Sequence, residues 1–496
     1  GGGGGASALT IPRPTPRAHT AAPLMREASV LWPYRGGRAL VDALFSSDGD
    51  GGFLVRPAAA DEVTVAVESV AACLGSGRGA IVVVPEADPV PATAAAIVEA
   101  FGERVALFVG GSKRARYRMW LAIQAGRYDV VVGTRPAVFA PMADLGLVLV
   151  SRESHPAHRE DRAPYFHVRD VAVARMQLAQ GVCVLEALCP SSEAASIGLP
   201  AVAPASRRWP PVEVVRPGPE GRAPRLVRAL AETRRGFILS AVPGYGIAAV
   251  CRACGAPAAC AACGGMLRSE EGMVRCVVCE APGRCASCNA TSFGLRRGGA
   301  ERVEEWASRA ASVPVRRLGA DDPPTLPAPG EILVGGPDDV RDLGPGGLDL
   351  VAILDADLAE RRPGIASRER ALTTWMEAVA WAAPGGRAIV QATRANDPAV
   401  QALVRGRPDR FHADEADRRS AAGFPVGVAV FKVEGSAQVE AELRTLEPIT
   451  LLVSSLGERT VCLLALEAGH VPGFGRRLRE LAELGVVTRV EAEPHL

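Results

Sequence analysis

Residues Cys251–Cys288 read CRACGAPAACAACGGMLRSEEGMVRCVVCEAPGRCASC and hold four Cys-x-x-Cys pairs: Cys251/Cys254, Cys260/Cys263, Cys276/Cys279 and Cys285/Cys288. One such pair offers two sulfurs on one side of a metal. Zn²⁺ takes four thiolates tetrahedrally, so each ion needs two pairs. Four pairs therefore predict two zinc sites. Gly255, Gly264 and Asn289 directly follow second cysteines, where a tight turn favours a left-handed backbone; Glu280 breaks that pattern at the third pair. The same turn lets backbone N–H groups point at sulfur. Arg252, Arg268, Arg275 and Arg284 can partly offset the two negative charges left on each four-cysteine zinc centre. Disulfides and buried thiols are the competing readings. A disulfide framework belongs to short secreted chains, whereas here eight of 12 cysteines crowd one stretch of a long chain in which no signal peptide is visible. A thioredoxin-type redox pair needs one Cys-x-x-Cys beside a strand–helix unit, not four in a row. The spacing points to metal but names no function, since zinc ribbons serve nucleic-acid binding, protein contact and plain stapling alike.

Outward from this stretch, 496 residues leave room for three or four domains. Hydrophobic content is 48% and aromatic content only 5%, and no apolar run approaches the length of a membrane span. We expect a cytoplasmic chain with reduced cysteines and no membrane partner. The formal net charge of +1 gives no global attraction to nucleic acid, so any such binding must come from local patches. Lys113 and Lys432 are the only lysines, and arginine supplies the remaining positive charge.

Residues 1–36 form a tail rich in Gly, Pro, Ala and Arg, without the periodicity that would bury a core. The chain does not begin with Met, which leaves open a fragment or a processed product. From about residue 37, short apolar runs alternate with helical segments: 52–55, 80–84, 105–109, 130–132 and 147–150, then, after the cysteines, 331–334, 350–354 and 387–391. Buried runs alternating with helices indicate parallel sheets covered on both faces. About residues 426–496 read strand, helix, strand, helix, strand, a small α+β domain. The fold class is α/β, two such lobes with a cysteine-rich insertion.

Several stretches then resemble one family in sequence and in order. Ala80–Glu86 (AIVVVPE), Val130–Pro141 (VVVGTRPAVFAP), Tyr165–Arg175 (YFHVRDVAVAR), PGYGIAAVC leading into the four pairs, Ile353–Ala371 (ILDADLAERRPGIASRERA) and Arg418–Val426 (RRSAAGFPV) are similar to the primosomal protein N′, or PriA, family of replication-restart DNA helicases. The resemblance covers roughly residues 37–496. It implies two RecA-like helicase lobes with a double-zinc-ribbon insertion: lobe 1 over 37–215, lobe 2 over 216–250 and 296–425, the zinc region over 251–295 and a C-terminal domain over 426–496. It also implies a nested ligand set, Cys251, Cys254, Cys285 and Cys288 on one Zn²⁺ and Cys260, Cys263, Cys276 and Cys279 on the other. The family's N-terminal DNA-binding domain has no visible counterpart in residues 1–36.

The family's catalytic residues are not matched. A helicase of this class cradles phosphates in a Gly-rich loop, with a Lys on the β/γ-phosphates and a Ser/Thr on Mg²⁺. Aligning Glu62-Val63 places Ala60 where the Lys belongs and Asp61 where the Ser/Thr belongs, with Pro57 and Ala59 replacing glycines. The acidic Mg²⁺ motif corresponds to Ser151-Arg152-Glu153-Ser154, of which only Glu153 is retained. In the second lobe, Gly335–Val340 and Glu377–Thr393 stand for the remaining motifs, and Ala382, Ala383 and Pro384 lie where arginine fingers belong. The resemblance thus implies a helicase fold without an ATPase engine, the pattern of actinobacterial members, with no catalytic and no nucleotide-binding residue. It implies a nucleoid-associated protein that recognises abandoned forks and promotes primosome assembly. Its partners would be forked and single-stranded DNA, the replicative helicase or its loader, and the single-stranded-DNA-binding protein. Two other readings stay open, an active ATP-dependent 3′→5′ helicase and a zinc-ribbon interaction module without DNA contact.

Other features have ordinary readings. Residues 112–120 (SKRARYRMW) could grip phosphate and stack a base; the favoured expectation is a solvated helix face with Tyr117 and Trp120 packed inward. Arg296/Arg297, after the ribbon, are the arginine pair best placed to touch DNA or a partner. His155, His158 and His167 read as loop and core histidines, Cys73, Cys183, Cys189 and Cys462 as buried thiols, and Gly244-Tyr245-Gly246 as a turn.

Overall fold

The computed structural model describes residues 29–46, 50–109, 112–160, 162, 165–218, 221–240, 248–254, 256, 258–262, 265–270, 273–277, 281–295, 300–319, 321–359, 364–456 and 459–492. These fall into two compact units.

The first unit takes the chain to Glu160, with Phe166–Pro190 and Leu199–Arg208. The strands of its large sheet are β1 (Tyr34–Arg35), β2 (Gly51–Val55), β3 (Gly79–Val83), β4 (Val105–Phe108), β5 (Val130–Gly133), β6 (Leu145–Val150), β7 (Val182–Glu186) and β8 (Ala201–Pro204). They form one sheet in the order β1-β8-β2-β7-β6-β3-β5-β4, parallel throughout except for β1 against β8. The central runs VVVG and LGLVLV are buried along their whole length, as a sheet covered on both faces requires. The helices are α1 (Gly37–Phe45), α2 (Glu62–Gly75), α3 (Ala92–Phe101), α4 (Lys113–Gln124) and α5 (Val168–Ala179). Leu40, Val65, Val70 and Ile97 from the first three of these helices are fully buried in one core with Val82, Val132 and Leu149. Each such aliphatic side chain contributes about 1.5–3 kcal/mol on burial. The order has a functional consequence. The chain leaves β2 into α2 and leaves β6 into residues 151–154, so both stretches lie at carboxyl ends of parallel strands, where open α/β sheets bind ligands.

The second unit comprises Asp161–Tyr165, Ser191–Gly198 and the chain from Trp209. In chain order its strands are β9 (Val212–Val215), β10 (Gly236–Ser240), β11 (Ala248–Cys251), β12 (Leu267–Glu270), β13 (Met273–Cys276), β14 (Phe293–Leu295), β15 (Val315–Arg317), β16 (Ile332–Gly335), β17 (Leu348–Leu354), β18 (Ala382–Gln391), β19 (Ala429–Gly435), β20 (Thr450–Leu456), β21 (Arg459–Leu466) and β22 (Val487–Ala492). A six-stranded parallel sheet runs β9-β18-β17-β10-β16-β15. The cysteine stretch is inserted between β10 and β15 as two small antiparallel ladders, β11 with β14 and β12 with β13. The helices are α6 (Ser192–Ser196), α7 (Pro224–Glu232), α8 (Ala300–Ala310), α9 (Ser367–Val379), α10 (Pro398–Arg405), α11 (Asp409–Ala421), α12 (Val439–Arg444) and α13 (Val471–Glu483). The C-terminal strands pair antiparallel in the order β20-β21-β19-β22, and α13 buries Phe474 and Leu481 among Val433, Cys462 and Leu464.

Several strands of the larger sheets were not anticipated from the sequence, namely β1, β7, β8, β9, β10, β15 and β20. β7 (VCVLE) carries Cys183 and a fully buried Glu186, which hide its strand character. β20 (TLLVSSL) sits at a sheet edge with Leu452 exposed, so its apolar residues do not alternate with burial. Among the described residues no helix is long and apolar enough to cross a membrane.

Candidate metal centre and candidate nucleotide loops

The four thiols of Cys251, Cys254, Cys285 and Cys288 converge, their sulfurs all lying within 4.8 Å of one another. Cys251 Sγ stands 3.6 Å from Cys288 Sγ, and Cys254 Sγ 3.8 Å from Cys285 Sγ. Those separations are far too long for disulfides. They match the edge of a tetrahedron built on Zn–S bonds of about 2.3 Å, which is about 3.8 Å. The donor set fits one Zn²⁺, which would act as a closed structural centre tying the start of the stretch to its end. The four cysteines come from the first and last pairs.

All four turns share one backbone device. The N–H of each leading cysteine donates to the carbonyl five residues on: Cys251 to Ala256 (2.8 Å), Cys260 to Gly265 (2.9 Å), Cys276 to Ala281 (2.9 Å) and Cys285 to Ala290 (2.9 Å). Backbone N–H groups also reach sulfur, Ala262 to Cys260 Sγ and Ser287 to Cys285 Sγ, each at 3.4 Å. Asn289 has the left-handed backbone expected of it, with φ 60°. The second and fourth turns are laced reciprocally, Ala261 N–H to the Arg284 carbonyl and Ala286 N–H to the Ala259 carbonyl, so that the backbones at Cys260 and Cys285 pair antiparallel. Cys260 and Cys276 are buried with Ala258, Leu267 and Phe293. Cys263, Cys279, Gly255, Gly264 and Glu280 lie outside the described residues. The four arginines named from the sequence are exposed, and Arg268 faces Arg275 across β12 and β13.

In the first unit, the loop from Arg56 to Asp61 joins β2 to α2. The Ala58 N–H and the Asp61 carboxylate in it are held from within the chain. The Ala58 N–H donates to Tyr34 Oη at 2.8 Å, and Tyr34 Oη donates to Asp61 Oδ2 at 2.7 Å. Arg208 grips the same carboxylate with both nitrogens, Nη2 to Oδ1 at 2.9 Å. Tyr34, Ala58 and Asp61 are buried and Ala60 is exposed. Burial, and next to it the Asp61 carboxylate, hold the Tyr34 phenol well above its ordinary range, against the Ala58 N–H. In the second loop the charged side chains are paired within the chain, while the buried Ser151 and Ser154 hydroxyls have no hydrogen-bond partner among the described residues. Glu153 is fully buried and accepts from Arg169 Nη1 at 2.9 Å, while Arg152, at φ 50°, pairs with Glu62 (3.0 Å). Ser151 and Ser154 flank these pairs; the Ser151 carbonyl meets His158 Nε2 at 2.8 Å. Glu62 and Arg169 were not singled out from sequence. No sequence signal marks these partners, since a buried ion pair leaves no periodicity.

In the second unit, Asp339 Oδ2 accepts from the Gly336 N–H at 2.7 Å, and Ala382, Ala383 and Pro384 lie within β18. His158 is fully buried and His155 and His167 are half-buried, and desolvation pushes His155 down to about 3, His158 to about 4 and His167 well below its usual value. Cys73, Cys183, Cys189 and Cys462 are buried, and desolvation lifts Cys73 and Cys183 to about 12. The helix α4 departs from expectation. Trp120 is half-buried, its ring 6.3 Å from Phe108, but Tyr117 is 63% exposed. The helix packs on the edge strand β4 and buries Ile123 alone, too narrow a face to take Tyr117 as well. Arg296/Arg297 and Gly244-Tyr245-Gly246 lie outside the described residues.

No family model matches the chain. Among curated proteins, the probable replication restart protein PriA of Mycobacterium leprae is 30% identical over 76% of this chain and 63% of that protein. The PriA of Treponema pallidum is 28% identical over 80% of this chain and 66% of that protein. The chain thus spans slightly less than two thirds of the length of these relatives. Of solved structures, the Escherichia coli DExH-box NTPase HrpB aligns over 79% of this chain and 44% of its own at 14% identity and a TM-score of 0.41, too loose a likeness to carry an argument. The curated relatives do carry one, and over about three quarters of its length the chain is a homologue of the PriA replication restart proteins.

Proposed function

We propose that this protein recognises abandoned or stalled replication forks and promotes reassembly of the primosome, without unwinding DNA itself. The PriA relatives support the restart role, and with it forked and single-stranded DNA and the helicase-loading components as partners. The observation that carries the non-helicase half is the closed loop between β2 and α2. A phosphate-binding loop works by offering unpaired N–H groups and a cation to the nucleotide. Here Tyr34 holds the Ala58 N–H, and an anionic Asp61 sits at the start of α2, already neutralised by Arg208. Glu153, the one retained acidic position, is committed to Arg169 rather than left open to Mg²⁺. The domain division that goes with this reading is lobe 1 over 37–215, lobe 2 over 216–250 and 296–425, the zinc region over 251–295 and the C-terminal domain over 426–496.

The same proposal includes a second Zn²⁺ on Cys260, Cys263, Cys276 and Cys279. Its support is the recurrence of one turn geometry at all four leading cysteines, with Cys260 and Cys276 buried like Cys251 and Cys285. The test of the function has two arms. Fork-stimulated ATP hydrolysis should stay at background, and purified protein should promote loading of the replicative helicase onto forked DNA. Fork-stimulated turnover that Glu153→Ala abolishes would restore the active-helicase reading.

A further inference from the structure

The helix α4 breaks two rules that helices ordinarily obey. Its sequence KRARYRMWLAIQ carries Lys113, Arg114, Arg116 and Arg118 in its first half and no acidic residue anywhere. Cations at the N-terminal end oppose the helix dipole, and Arg114 and Arg118 form a like-charged i, i+4 pair; each arrangement costs a few tenths of a kcal/mol or more. Neither cost is offset locally. Among the described residues none of these four cations forms an ion pair, and all are exposed. Tyr117 is 63% and Leu121 41% exposed on the same face, although Ser112 caps the helix correctly through the Ala115 N–H at 3.2 Å. Helical spacing sets Lys113, Tyr117 and Leu121 in one row, with Arg114 and Arg118 in the row beside it. An aromatic ring between cations on a surface helix is the combination that takes a base on the ring and phosphates on the charges.

We propose that this face of α4 binds single-stranded nucleic acid, with a base stacked on Tyr117 and backbone phosphates on Lys113, Arg114 and Arg118. The proposal rests on the DNA-binding reading above and gives it a location. Duplex DNA fits less well, because its bases are not available to a side chain that stands on a convex helix.

The experiment titrates the full chain against labelled oligo-dT and against a duplex of equal length, at two salt concentrations. The variants are the triple Lys113→Ala/Arg114→Ala/Arg118→Ala, and Tyr117→Ala with Tyr117→Trp as its rescue. All these side chains are exposed, and circular dichroism checks that each variant folds. The triple variant should flatten the salt dependence by about two units of slope, since each phosphate contact on a single strand contributes about 0.7. Tyr117→Ala should weaken oligo-dT binding roughly tenfold at both salts with the slope kept, and Tyr117→Trp should recover it. If wild type binds oligo-dT and the triple variant does so with the same affinity and slope, this location is wrong while the DNA-binding reading stands. If the triple variant weakens but Tyr117→Ala does not, or if the duplex competes equally well, single-strand recognition by stacking is overturned. If wild type binds no nucleic acid at low salt, both readings fall.

Discussion

Single side chains here decide what a loop is able to bind. Tyr34 is the most exposed to test, because its hydroxyl serves two buried groups at once, the Ala58 N–H and the Asp61 carboxylate. Tyr34→Phe keeps the ring but leaves both partners short of a bond, at a cost of about 1–3 kcal/mol. Thermal unfolding should show a lowered midpoint, while ATP binding should not appear, since Arg208 still holds Asp61. An unchanged midpoint would mean that the hydroxyl is not structural. A second residue-scale test lies in the other unit, at Glu369. Its carboxylate accepts from the Ser192 N–H (3.0 Å), from Ser192 Oγ and from Arg419 Nη2 (3.1 Å); Arg419 also pairs with Glu193 and Glu415, and Arg418 with Glu415. Burial first, and Glu193 second, push Glu369 up to about 7, against the pull of Arg419 and Ser192. A carboxyl raised above its unfolded value of about 4.3 holds its proton longer in the folded chain. Between about pH 4.3 and 7 the folded state therefore binds more protons, and this group's contribution to stability is lost as pH rises through that window. Urea unfolding at pH 5.5 and 7.5 should show a smaller loss in Glu369→Gln than in wild type; equal losses would refute the assignment.

Elements were more legible than the contacts between them. Runs such as VVVG and LGLVLV are apolar from end to end because parallel strands are buried on both faces, and that pattern survives in one sequence without any knowledge of pairing. The four Cys-x-x-Cys turns were legible for a different reason: metal ligation fixes both residue type and spacing, and the first and last pairs do converge. What could not be read was every interaction that depends on residues far apart in sequence. Nothing near Asp61 announces Arg208, and nothing near Glu153 announces Arg169, since a buried ion pair leaves no periodicity. Tyr117 failed for the opposite reason, as its helix meets the sheet only at an edge strand and has no inner face wide enough for it. For the ribbon the expected outcome is close to two Zn²⁺ per chain by elemental analysis. Cys251→Ser and Cys288→Ser should each release the same ion, and one ion or none in the wild type would refute the pairing.

At the scale of the whole molecule, the parallel sheets bury their own cores without drawing on the cysteine stretch, whereas the ribbon has only a small cluster of its own. Small ribbons of this kind take their folding energy from the metal. Cys260→Ser/Cys263→Ser should therefore lose ribbon structure and bound zinc while the main cooperative unfolding transition and most of the circular dichroism persist; collapse of the entire spectrum would show that the sheets lean on the ribbon. The loop between β2 and α2 also bears on what one substitution could do there. A lysine introduced at Ala60 would leave the Tyr34 hydroxyl on the Ala58 amide and the Arg208 guanidinium on Asp61. Replacing Asp61 alone would strand Arg208 and Tyr34 without their acceptor. The first step leaves the loop closed and the second unpairs buried groups, so no single one of these substitutions yields an open phosphate loop.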